Sequence, residues 1–157
     1  MAVAVSAIRS LILSHLETEL GAGWRASPWL PDLLGREPRA HAHRAYAVAV
    51  GRQEVEALDR QSRHGALTGR RVQARTALRV SLLWSIRLDD QSASYQEALD
   101  GLDTLIAAVR NVPTSTAEIA VHYTGVDERR WSGTESQFWL VQGATFVVHH
   151  TQSLEAP

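Results

Sequence analysis

Between Arg71 and Leu88 apolar and polar residues alternate. Val72, Ala74, Thr76, Leu78, Val80, Leu82, Trp84, Ile86 and Leu88 fall at even positions, and Arg71, Gln73, Arg75, Arg79, Ser81, Ser85 and Arg87 at odd ones. A period of two is that of a β-strand with one dry and one wet face. At about 3.3 Å per residue, the stretch from Val72 to Leu88 reaches about 56 Å. A chain of this length folds to a radius of gyration of about 15 Å, hence a diameter of about 40 Å. The strand therefore either bends or protrudes.

Elsewhere the period changes. Val5, Ile8, Leu11, Ile12, Leu16 and Leu20 recur at helical spacing, and Gly21 and Gly23 stop that helix by permitting a left-handed cap. A second helix runs from Tyr95 to Arg110, with Leu99, Leu102, Ile106 and Val109 on one face. Ser94 followed by Glu97 reads as its capping box, and Asn111, Val112 and Pro113 end it. Ala42–Val50 is a strand that Gly51 ends or bulges. The polar stretch 52–69 joins it to the long strand as a mobile loop or the tip of an extended hairpin.

Two strands close the chain. The first carries Ile119, Val121 and Tyr123 on one face, and the second, from Phe138 to Val148, is apolar on both faces and so belongs inside a sheet or under cover. Between them, Gly125 to Ser136 reads as a charged turn. The segment Trp24–Arg39, with Pro28, Pro31, Gly35 and Pro38, admits neither helix nor central strand. Its Trp24, Trp29, Leu30, Leu33 and Leu34 pack over the core or meet a partner, and core packing is the expectation.

At 157 residues and 45% hydrophobic, the chain has the material for one core, and we read a single domain over residues 1–157. The formal charge of −1 gives no global field toward nucleic acid or an anionic membrane. All sixteen basic residues are Arg, a usage that GC-rich codons favour. Arg forms planar, bidentate contacts with carboxylates, so such a surface suits protein interfaces. With no Cys, disulfides and thiolate metal sites are excluded. The opening residues carry no basic leader and no stretch approaches a membrane span of about 18 apolar residues, so a soluble protein made inside the cell is expected.

Candidate chemistry is sparse. His41 and His43 have the spacing of a two-ligand metal pair on one strand face, but no third ligand is evident, so no metal site is assigned. His149 and His150 read as strand-end residues facing opposite ways. No nucleophile elbow, P-loop or dinucleotide fingerprint is present, and the chain reads as neither an enzyme nor a cofactor binder. Arg71, Arg75 and Arg79 share one strand face. They suit phosphate contacts, a solvated or ion-paired ladder, or a subunit interface that meets Glu54, Glu56 or Asp59 of a neighbour. Trp131 beside Arg129 and Arg130 combines residue types enriched at interface hot spots, or folds back onto the core.

In element order the chain resembles the tail terminator proteins of long-tailed bacteriophages and phage-like particles. The resemblance is carried by the opening helix Val5–Leu20, the strand Arg44–Val50, a polar excursion, the long strand Val72–Leu88, the helix Tyr95–Arg110 and the closing pair ending in Phe146-Val147-Val148-His149-His150. It implies an α+β subunit: an antiparallel four-stranded sheet with a long β-hairpin, packed by two helices. It also implies a homo-oligomeric ring, commonly a hexamer, that caps the tail tube, ends its polymerisation and offers a docking surface to the head-side connector or stopper. Related neck subunits share the layout. On this reading DNA passes through the lumen without specific binding, no membrane is involved, and the protein is made in the bacterial cytoplasm and resides in the virion. The interface residues expected are Glu54, Glu56, Asp59, Arg71, Arg75, Arg79, Arg129, Arg130 and Trp131.

Overall fold

A computed structural model describes residues 4–27, 43–58, 70–113, 119–134 and 137–154. Within them lie two helices, α1 (Val5–Leu20) and α2 (Gln91–Arg110), and six strands. These are β1 (Arg25–Ala26), β2 (Ala45–Leu58), β3 (Arg70–Ile86), β4 (Ile119–Val126), β5 (Arg130–Thr134) and β6 (Gln137–Leu154). The class is α+β, but the sheet is six-stranded and mixed instead of four-stranded and antiparallel. β1 joins β2 in parallel inside a segment whose prolines had argued for loop alone, and β5 lies inside the expected charged turn.

The order β1-β2-β3-β6-β4 puts β3 and β6 in the middle. From Arg70 to Ile86 every residue of β3 is paired with β6, so the long strand is embedded, not solitary. β2 runs on through Gly51 to Leu58, with register shifts at Val50/Gln53 and Val55/Ala57. Such bulges bend the strand that carries them and increase its twist. Because β3 occupies one side of β6, both β4 and β5 lie on the other. β4 pairs with Ala144–His150 and β5 with Gln137–Val141.

The helices cover the even-numbered face of β3. Ile8, Ile12 and Leu16 of α1 and Ala98, Leu102 and Leu105 of α2 are buried against Val48, Leu78, Val80, Leu82, Trp84, Leu140 and Phe146. Arg9 Nε donates to the Val48 carbonyl at 2.9 Å and His15 Nε2 to that of Ala108 at 2.9 Å, tying α1 to sheet and helix alike. Gly21 ends α1 with φ at +71°, a value glycine takes without strain. The start of α2 lies one turn earlier than expected: the N-cap is Asp90, which accepts from the Ala93 N–H at 3.2 Å. Ser94 is instead buried, and its hydroxyl accepts from the Arg87 N–H at 3.0 Å.

The odd-numbered face is not wet throughout. Ser81 and Leu83 are buried, as are their neighbours Ala45, Ala47, Trp139 and Val141. Toward the other end Arg75 and Ala77 are exposed. His149 and His150 are not strand-end residues, since β6 continues past them to Leu154. Of the apolar residues in the proline-rich segment, Trp24 packs on the core edge-on to Trp84, with centroids 5.8 Å apart. Trp29, Leu30, Leu33 and Leu34 lie outside the described residues.

Candidate functional site

The two helices leave part of the inner face uncovered. Among the described residues six large hydrophobics are exposed: Val55, Leu88, Tyr123, Val126, Trp131 and Phe138. Register assigns their faces. Tyr123, Val126 and Trp131 stand opposite Phe146, Ala144 and Leu140, all buried inner-face positions. Val55 stands opposite buried Ala74 on the same face but at the β2 side of the sheet.

At the β4–β5 margin the residues form a groove of about 440 Å³ between the start of α2 and the β5–β6 hairpin. Ile86, Leu88, Tyr95, Trp131 and Phe138 supply its apolar walls, and Gln91 and Ser92 its polar end. Trp131 and Tyr95 lie with centroids 6.0 Å apart, and the Arg129 guanidinium sits 5.3 Å from the Tyr95 centroid while donating to its hydroxyl. A cation over an aromatic face is held by the ring quadrupole. Trp131 is 54% exposed, so it lines the groove and does not fold back into the core.

Between β4 and β5 the chain stays on the edge of β6. The Asp127 N–H donates to the Gly143 carbonyl at 2.8 Å, and Gln142 Nε2 donates to the Asp127 carbonyl at 3.2 Å. The Asp127 carboxylate meets Arg79 Nε at 2.7 Å. Arg75 pairs with Glu54 directly across the strands, its Nη2 2.9 Å from Oε2. The acids for Arg75 and Arg79 are thus supplied by the same chain, which makes this face an internal ion-paired ladder. Arg71 and Glu56 sit in β3 and β2, and only their backbone is described; Asp59 lies outside the described residues.

Of the nine expected interface residues, Glu54 and Arg75 join on the β2–β3 hairpin, Arg79 pairs with Asp127, and Arg129, Arg130 and Trp131 lie at the opposite margin. Leu88, Tyr95 and Phe138 escaped the sequence reading because each fits a strand or helix pattern, and nothing local says that it will be left uncovered. Asp127 gave no signal either, since its partner is forty-eight positions away.

His43 and Ser85 share a hydrogen bond of 2.7 Å beside Trp84. Burial lowers the His43 pKa, Arg44 and Arg87 lower it further, and Glu97 opposes them. A neutral imidazole on a serine hydroxyl is the start of a catalytic dyad, but no third group orients His43 among the described residues. His41 lies outside them, and no group of three potential metal ligands occurs within them. Among the described residues no helix is long and apolar enough to cross a membrane.

No protein-family model matches the chain, and no curated protein matches it significantly.

Proposed function

We propose that this chain is a structural assembly subunit that forms a closed ring, and that the ring caps the tail tube of a long-tailed phage or phage-like particle. One observation carries the assembly part: among the described residues, three of the six exposed large hydrophobics, Leu88, Trp131 and Phe138, line one groove, with Arg129 over the Tyr95 ring in its wall. Concentrated apolar surface on a small protein marks an interaction site, and Trp, Tyr and Arg are the residues on which interfaces depend most. The element order supports the tail-terminator role, which includes ending tube polymerisation and presenting a docking surface to the head. A head-side connector or stopper subunit uses the same layout and is the alternative.

Native mass measurement and negative-stain imaging at micromolar concentration test the reading. One discrete ring is expected, alone or on addition of purified tail tube protein. A monomer under both conditions overturns it.

A further inference from the structure

On the odd-numbered face of the sheet two histidines from different strands meet. β4 pairs with β6 so that Ala120 stands opposite His149, and His122, two residues further along, shares that face on the diagonal. The two rings lie with centroids 5.0 Å apart and planes at 89°. We infer that His122 and His149 form a binding site for a first-row divalent cation, Cu²⁺ or Zn²⁺, with water completing the coordination shell. Both ligands come from one chain, so the site does not depend on assembly.

Imidazole nitrogen is a ligand that suits copper and zinc. At a metal–nitrogen distance of about 2.0–2.1 Å, two imidazoles on one cation, at angles between square-planar and tetrahedral, put their ring centroids about 4.5–5.2 Å apart. The observed 5.0 Å falls within that span. Perpendicular rings are not stacked face to face, and His122 is exposed, so it turns about χ2 to bring a nitrogen to the shared point. The cation must also escape repulsion. Arg75 stands directly across from His149 on β3, but Glu54 holds it at 2.9 Å and compensates its charge. His149, Gln73 and Thr151 line a cleft of about 280 Å³, which has space for metal-bound water. Once bound, the cation clips the edge strand β4 to the central strand β6, so its binding free energy adds to that of folding.

The test uses the untagged full-length chain at micromolar concentration, with Cu²⁺ alone and Zn²⁺ alone as probes. Titration calorimetry is expected to give a single Cu²⁺ per chain, and its electron paramagnetic resonance spectrum should show coupling to two imidazole nitrogens. Saturating Zn²⁺ should raise the melting temperature, and EDTA should reverse the rise. His122→Gln and His149→Gln are each expected to lose both the two-nitrogen spectrum and the Zn²⁺ shift, whereas His43→Gln keeps them. Because His122 is exposed, His122→Gln should melt like the wild type in EDTA, which separates loss of the ligand from loss of the fold. A wild-type chain that binds neither ion overturns the site. So does a two-nitrogen spectrum retained by His122→Gln, which would put the ion on other histidines. Neither result bears on the ring reading, which the native mass tests separately.

Discussion

A Cβ at Gly143 would stand 2.7 Å from the Asp127 carboxylate and closer still to Arg79 Nε, the ends of two flexible side chains that can move aside. Gly143→Ala is expected to separate that ion pair at a cost of at most about 1 kcal/mol. Gly101 is tighter, with a Cβ 2.5 Å from Cζ3 of the buried Trp84. The ring is held by Trp24, His43 and Arg44 and cannot retreat. The helix-propensity gain of Gly101→Ala, about 1 kcal/mol, is therefore outweighed, and chemical denaturation midpoints should fall for both variants. His43 supplies a pH test. Its folded pKa lies below the ordinary value because burial and two Arg residues disfavour its charge, so the unfolded chain binds the proton more readily. Stability from this residue is present above the unfolded pKa of about 6.5 and falls as pH drops below it. His43→Gln should flatten that part of the melting temperature against pH, and an unchanged slope would refute the assignment.

At the level of elements, α2 shows how a motif can match in sequence and sit elsewhere in space. Ser94 and Glu97 have capping-box spacing, but Asp90 offers an earlier cap, and helix propagation from it takes Ser94 into the second turn. There the hydroxyl closes the β3–α2 corner onto the Arg87 N–H. Asp90→Ala is expected to cost about 1 kcal/mol and fray the first turn. Ser94→Ala should cost about 1–3 kcal/mol by leaving the Arg87 N–H unpaired. Amide hydrogen exchange separates them: faster exchange at Ala93 for the first, at Arg87 for the second. The helix bounds of α1, by contrast, were legible in full, because its apolar period and terminal glycines are local.

For the molecule as a whole, the Arg ladder binds distant parts of one chain. Arg75 and Glu54 are 50% and 40% exposed at their side chains, so Arg75→Ala should cost at most about 1 kcal/mol. Arg79 and Asp127, at 25% and 35%, are less accessible, and Asp127 also anchors the β4–β5 connection through its backbone. Arg79→Ala is therefore expected to lower the melting temperature more than Arg75→Ala. Equal effects in thermal melts would show that the Asp127 pair adds nothing.

The sequence by itself determined the two helices, the long strand β3 and the α+β class, because side-chain period is a local property and hydrophobic burial acts on every element that has a face to hide. Only the tertiary structure decided that β1 joins in parallel, that β4 and β5 share one edge of β6, and that Ser81 and Leu83 are dry. It alone decided that Arg75 and Arg79 find their acids within the chain and that Trp131 stands in a groove. Each of these depends on which remote segment arrives alongside, and how far a helix of finite length extends its cover over a longer sheet. Those are properties of packing, and no window along the chain contains both partners.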